Sequence, residues 1–544
     1  MKAFRVKIFS AAVACAAAFS LLLTGCGAGS TEAVMKTLPG DALSFDDSRG
    51  VSVHDLSIFK AEDGTYYVTG SHIASAKSTD LVHWQTVSAG VFDSNRTLVR
   101  EGETLRGAYE KAFQWCDGAQ RLWEYGEDKW ETNVWASDIL YNPAMDKYCY
   151  YASSSVWGST ASVIWMAVSD SPEGTFDFVD TMIYSGFSTR ETWYGAPKNQ
   201  LHYSFTNLQA LIENGTLTKD EVENAAWFDK DGNYDCTYGK YPNAIDPAPF
   251  YDADGQLWLA YGSYSGGIYV MPLIEETGMP DYKAMRDAGY DPYFGKQITC
   301  TNEATANTGE GPFILYDTVS GYYYLFLSYG GLGALDGYDV RLYRSTRPDG
   351  PYVDAAGHDA VEAASTGTKL IGNYQFQSDE TAYLSPGHSS CLLDDDGRLY
   401  LAYHQRYNDG EGAFHNVQIH ELLRTADGWL TLLPRAYGGE DAAANIQTLD
   451  GEFDALFFEP VIQKTDAWEK VEDIIQKSAP AAVAGGTLTT EAGTADLHID
   501  VRTGTFSFTL GGETFSGAAK RGADGKLQLS AVSDRNRTFW AVER

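Results

Sequence analysis

His54-Asp55-Leu56-Ser57-Ile58-Phe59, a turn at Asp63-Gly64, then Tyr66-Tyr67-Val68: this stretch reads as a short apolar strand with a polar head, a tight reversal and an aromatic strand. Asp-Gly between two apolar runs is a strong hairpin signal. The same unit returns four times. Trp135-Ala136-Ser137-Asp138-Ile139-Leu140 turns near Asp146 into Tyr148 to Tyr151. Ile245-Asp246-Pro247-Ala248-Pro249-Phe250 turns at Asp254-Gly255 into Leu257-Trp258-Leu259. Gly309-Glu310-Gly311-Pro312-Phe313-Ile314 turns at Ser320-Gly321 into Tyr322-Tyr323-Tyr324. Gly387-His388-Ser389-Ser390-Cys391-Leu392 turns at Asp396-Gly397 into Leu399-Tyr400-Leu401. A third strand follows several copies, as at Val163 to Val168, Gly267 to Met271, Val340 to Arg344 and Val417 to Leu422. Five multi-stranded units with irregular spacing describe the blades of an all-β, five-bladed propeller.

The heads fall at 55, 138, 246, 310 and 388, so insertions must hang from the propeller. The largest separates the second and third heads and includes a short helix over Asn207 to Phe228, broken at Asn214-Gly215. Asp229-Lys230-Asp231-Gly232-Asn233 lacks the ligand spacing of a calcium loop and reads as an ordinary turn. Past Gly451 the pattern changes. Ala455 to Gln476 reads as partly helical, Ser478 to Gly486 as a small-residue linker, and Thr487 to Arg544 as short strands broken by Gly turns. The expected organisation is a propeller over 46–445, a connecting segment over 446–486 and a small β-barrel-like domain over 487–544.

Lys2 to Lys7 and the apolar run Ile8 to Leu23 form a secretory leader too short to span a membrane comfortably. Leu23-Thr24-Gly25-Cys26 completes the pattern of a bacterial lipoprotein signal, so residues 1–25 are expected to be cleaved. Cys26 is then the lipidation site and 26–45 a tether, which makes the product an extracellular, membrane-anchored lipoprotein. The formal charge of −34 becomes −37 once Lys2, Arg5 and Lys7 leave (−34 − 3). Such a balance excludes nucleic acid as a partner, because phosphates demand clustered cations, and leaves a neutral polysaccharide open. Cys116, Cys149, Cys236, Cys300 and Cys391 are odd in number and lack CxxC spacing, so zinc is not expected and any disulfide pairing stays open.

Innermost strands line a propeller's channel, so the five heads should converge there. Four are acidic and one is His388. Crowded, desolvated carboxylates push at least one pKa upward, giving a proton donor beside an ionised base. Glycosidic hydrolysis needs such a pair, held about 6.5–9.5 Å apart when the mechanism is inverting.

These residues resemble glycoside hydrolase family 43, in particular its endo-1,5-α-L-arabinanases with an extra C-terminal domain. The likeness rests on His54-Asp55-Leu56-Ser57-Ile58, Trp135-Ala136-Ser137-Asp138, Asn243-Ala244-Ile245-Asp246-Pro247, Gly262-Ser263-Tyr264, Glu310-Gly311-Pro312-Phe313-Ile314, Pro386-Gly387-His388 and Asp427-Gly428-Trp429. It implies Asp55 as general base, Glu310 as general acid and Asp246 as the residue that orients that acid and keeps its pKa high. It further implies His388 beside one calcium ion on the axis. Substrate contacts are implied for His54, Trp135, Gly158, Asn243, Ala244, Ile245, Asp246, Ser263, Tyr264 and Ser265. Asp138 is read as structural. Leu56 and Ser137 stand where the family carries Pro. The implied substrate is arabinan. Exo-acting arabinofuranosidase or β-xylosidase action, and glycan binding without turnover, remain open alternatives at this stage.

Overall fold

The computed structural model describes residues 50–121, 134–155, 160–191, 201–235, 240–300, 309–363, 365–408, 415–439 and 446–544. The leader, Cys26, the tether and Gly158 lie outside these residues.

Each repeat becomes one antiparallel sheet. The first blade is Ser57–Lys60, Tyr66–Gly70, Ala74–Ser78 and Gln85–Ser88. Its hairpin pairs Ser57 with Thr69 and Lys60 with Tyr66. Gly64 closes the reversal at φ 87°, a left-handed conformation that glycine reaches without a Cβ clash. The second blade is Val134–Asn142, Lys147–Ser154, Val163–Ser169 and Asp177–Tyr184. The third is Ala248–Tyr251, Leu257–Ser263, Gly267–Ile274 and Met279–Pro280, with Lys296–Gln297 added to Gly267–Ile274. The fourth is Glu310–Asp317, Tyr322–Tyr329, Asp339–Ser345 and Thr368–Ile371. The fifth runs Leu430–Leu432, Asn416–Arg424, Leu399–Tyr407, Tyr383–Leu393 and Tyr374–Gln375.

The five inner strands neighbour one another in a ring, the last returning to the first. Apolar layers fill the gaps between blades. Phe59 and Tyr67 pack with Ile139 and Tyr150, and Tyr324 and Phe326 with Leu399 and Leu401. The ring is tied shut by the segment that leads into the first blade. Val53 N–H donates to His415 O, Val417 N–H donates to Val51 O, and Val51, Val53 and Ile58 bury against Tyr400 and Ile419.

The insertion after the second blade contains helices Leu208–Glu213 and Lys219–Glu223, interrupted at Asn214-Gly215 as the sequence predicts. Thr218 and Glu221 form a reciprocal capping box on the second helix. Asp229 Oδ1 accepts from the Asp231 and Asn233 N–H groups, which makes that segment a turn closed on itself.

The C-terminal boundary differs from the sequence reading. The barrel has eight strands: Gly451–Phe458, Ala479–Ala484, Thr487–Thr490, Gly493–Asp500, Thr505–Leu510, Glu513–Arg521, Leu527–Ser533 and Thr538–Glu543. The first two fall inside the expected connecting segment. Gly451–Phe458 closes the barrel by pairing with Thr538–Glu543, a partner so distant in sequence that local composition does not reveal it. The helical expectation for Ala455 to Gln476 reduces to a 3-10 stretch, Trp468–Ile474. Gln476–Lys477 pairs in parallel with Tyr374–Gln375, and Trp540 and Phe458 pack on Tyr374, so the barrel is anchored to the fifth blade. Cys149 and Cys391 are buried free thiols.

Candidate active site

The channel end of every blade carries one residue in the left-handed region: Asp55 (φ 52°), Ala136 (40°), Asp246 (55°), Gly311 (58°) and His388 (46°). Such a conformation costs an ordinary residue roughly 1–3 kcal/mol and clusters where function demands it. Asp and His tolerate it better than most residues do. This repeat corrects the sequence alignment of the heads. Asp55, Asp246 and His388 are equivalent, but Asp138 lies two residues beyond its blade's equivalent position and Glu310 one residue before it. A β-bulge between Trp135 and Asp138, and another between Glu310 and Phe313, accounts for the offsets.

Asp55 is held from several sides. Ser71 Oγ donates to its Oδ2 at 2.6 Å, and Ser71 also accepts the Ala136 N–H at 2.9 Å, linking the first two blades. His54 Nε2 and His388 Nδ1 lie 3.1 and 3.3 Å from Asp55 Oδ1. The Asp55 N–H donates to His404 Nδ1 at 3.2 Å. Burial alone would raise the Asp55 carboxyl, but the neighbouring imidazoles outweigh it and hold the group well below the usual carboxylate range. Burial drops His54 to about 4, so His54 is uncharged at neutral pH. The cation is His388. Burial opposes its charge, but the Asp55 carboxylate and its hydrogen bond, with Asp246 and Glu310 behind, push it up to about 9.

Glu310 has the opposite fate. Burial, then the Asp246 charge, raises it to about 8. Tyr338 donates a 2.6 Å hydrogen bond to its Oε1. Asp246, raised to about 6 mainly by burial, accepts the Gly311 N–H on Oδ2 at 3.1 Å and so sits beside the acid's own backbone. Asp55 also contributes to the rise of both groups, so the three carboxyls share one electrostatic site. At neutral pH that site holds an ionised Asp55 and a protonated Glu310. Asp138 is buried, accepts from the Ser57 hydroxyl and is pushed up to about 7 by burial.

The implied substrate contacts divide. His54 touches the base, and Tyr264 feels the charges of Glu310 and Asp246. The Tyr264 hydroxyl is, however, committed to Gly330 O at 2.5 Å. Asn243 and Ala244 are buried and bond to Ser185. Ile245 O accepts the Gly262 N–H, Ser265 O accepts the Asn243 N–H, and Ser263 is buried in its strand. Trp135 is half-buried at the start of the second inner strand, where its carbonyl takes the Ser153 hydroxyl.

Ser71, Tyr338 and His404 were not singled out from sequence. A Gly-rich run, Gly330 to Gly337, immediately before Tyr338 was the one available signal. His54, His404 and His415 also come together, with ligand-capable atoms within 4.8 Å. They do not form a ready metal site. His404 Nδ1 accepts a backbone N–H, so Nε2 must carry the proton of the neutral ring and has no lone pair to give.

Comparison with known proteins agrees with this geometry. The model of Glycosyl hydrolases family 43 matches residues 195–430. The chain is 34% identical over 407 residues to the extracellular endo-α-(1→5)-L-arabinanase 2 of Bacillus subtilis (strain 168), covering 72% of each. A solved family 43 protein, YxiA of Bacillus licheniformis, superposes with a TM-score of 0.70 at 28% identity, over 91% of this chain and 98% of that one. The endo-1,5-α-L-arabinanase of Thermotoga petrophila RKU-1 does so with a TM-score of 0.70 at 26% identity, over 91% and 99%. The chain belongs to glycosyl hydrolase family 43.

Proposed function

We propose that this glycoside hydrolase cleaves α-1,5-L-arabinofuranosidic bonds within arabinan by single displacement. The observation that carries the reading is the convergence in one site of Asp55, held by Ser71 and His388, and Glu310, held by Tyr338 beside Asp246, an arrangement that favours an ionised base and a protonated acid. Asp55, ionised and pinned by Ser71, takes a proton from water as that water attacks the anomeric carbon. Glu310, protonated at neutral pH, gives its proton to the departing sugar oxygen. Asp246 keeps the acid protonated through its charge and fixes the backbone next to it through Gly311. Retention would need a carboxylate to attack carbon. Here the ionised carboxylate is engaged by Ser71 and His388, an arrangement suited to orienting water. The arabinanase activity of relatives at this identity supports the substrate. Release of reducing ends from linear arabinan, lost in Asp55→Ala and Glu310→Ala, tests it. Arabinan left intact by the wild-type protein would refute it.

A calcium ion beside His388 belongs to the same proposal. Nδ1 faces Asp55, so calcium would take Nε2 in place of the second proton that His388 carries as a cation, and a ligating imidazole commonly rests its other nitrogen on a carboxylate. The surrounding carboxyls favour positive charge, and a hard cation would complete its shell with water. When bound, calcium would supply fixed positive charge at the axis. We further read the chain as extracellular and tethered through lipid on Cys26, as Leu23-Thr24-Gly25-Cys26 supports. Fatty-acid labelling that survives Cys26→Ala would overturn that tether.

A further inference from the structure

The C-terminal barrel reaches back to the acid through a short chain of contacts. Tyr338, whose hydroxyl holds Glu310 Oε1, ends the loop over 330–338 and is itself buried. Its ring lies so close to Gly387 that a Cβ there would fall 2.1 Å from ring carbon Cδ1. The propeller secures the near part of this loop, since Arg406 Nε donates to Leu332 O and Ser385 Oγ to Gly333 O. The far part is secured from outside the propeller. Thr465 N–H donates to Leu335 O at 2.8 Å, and Ala334 and Leu335 pack against Val471 and Ile474. At Gly337 (φ 72°) the chain runs directly under Gln463, and a Cβ would sit 2.3 Å from the Gln463 carbonyl oxygen.

Residues 459–475, between the first two barrel strands, supply all of these outer contacts. They are clamped in turn by fully buried cations. Lys369 Nζ donates to Val461 O at 2.7 Å, and Arg341 Nη2 to Pro460 O at 3.3 Å. Asp339, adjacent to Tyr338 in sequence, pairs with both cations. Burying two cations and one carboxylate is costly unless each is fully partnered. Here the partners include carbonyls of the returning segment, so its seating and the charge cluster depend on each other.

We propose that Tyr338 is a positioning residue for the general acid, and that residues 459–475 make the barrel a working part of the catalytic site by holding Tyr338 in place. The inference rests on Glu310 being that acid. A displaced acid harms poor leaving groups most, because a good one departs without protonation. Turnover of linear arabinan is therefore compared with that of a dinitrophenyl α-arabinobioside in Tyr338→Phe, Gly337→Ala and Ile474→Ala, with thermal unfolding as the check on folding. The expected result is a fall in kcat on arabinan of roughly ten- to a hundredfold, the cost of misplacing a catalytic group. The activated substrate should lose less than about threefold, with KM nearly unchanged. Ile474→Ala only loosens packing and keeps the barrel arm testable if Gly337→Ala does not fold. Equal losses on both substrates, or none, in folded Tyr338→Phe would overturn the role of Tyr338. The same result in the other two variants would overturn the role of the barrel. Glu310→Gln is run alongside. If it cleaves arabinan like wild type, the acid assignment itself fails, and that outcome is distinct from failure of the positioning role.

Discussion

Replacing Asp246 by Asn isolates one electrostatic contribution. Asn keeps the size, tolerates the left-handed backbone at φ 55°, and its amide oxygen can still accept the Gly311 N–H. What leaves is the negative charge that, after burial, does most to raise Glu310. Two charges on the order of 6 Å apart at an effective dielectric of about 20 interact by about 3 kcal/mol, or about two pH units, as an upper bound. Asp246 itself sits near 6, so it is not fully ionised across the working range and the realised fall should be nearer one and a half. The acid works below its pKa, so the alkaline limb of kcat/KM starts from about 8 in the wild type. Asp246→Asn should move it down, to about 6.5. At pH 7 protonation alone then costs about fourfold, with further loss where the acid is also less well oriented. Burial remains, so the limb stays above the ordinary glutamate value. The assay is reducing-sugar release from linear arabinan between pH 5 and 9, fitted for kcat/KM. A limb that stays near 8 or moves upward would refute the claim that Asp246 charge keeps Glu310 protonated.

The raised acid also burdens the fold. Glu310 titrates near 8 in the native chain against 4.5 when unfolded, so its stability penalty is absent below about pH 4 and accrues as pH climbs to 8. Glu310→Gln should abolish arabinan cleavage yet raise Tm, with a stability gain that grows from pH 5 to pH 8 and reaches at most a few kcal/mol; a Tm gain independent of pH would contradict this. Calcium should raise the wild-type Tm with concentration, adding about 2.7 kcal/mol of stability at a hundredfold excess over Kd. His388→Ala should lose both that response and most activity, whereas an unchanged calcium response in the variant would place the ion elsewhere.

Much of the propeller was legible because its signals are local. Asp-Gly and Ser-Gly reversals between apolar and aromatic runs specify hairpins wherever they occur, and five copies leave few other ways to bury the strands. The acidic heads also pointed to the channel, and Asp55, Asp246 and Glu310 do share one site. What sequence spacing could not reveal were the one- and two-residue offsets at Glu310 and Asp138, because a β-bulge moves a side chain without leaving a compositional mark. Long-range partners were equally hidden. Gly451–Phe458 reads as an isolated apolar run until it meets Thr538–Glu543. Tyr338 resembles any other strand tyrosine until the loop before it folds onto the barrel's returning segment. Asn243 and Ala244, singled out by likeness, both bond to Ser185, a partner that spacing did not reveal.

Proton NMR of linear arabinan during its first minutes with the purified protein interrogates the paired Asp55 and Glu310 directly. Attack by water from the face opposite the leaving sugar must give new reducing ends first as the β-anomer, with the α-anomer growing later by mutarotation. New ends that appear first as the α-anomer, or a spectrum in which the polymer persists unchanged, would contradict the account.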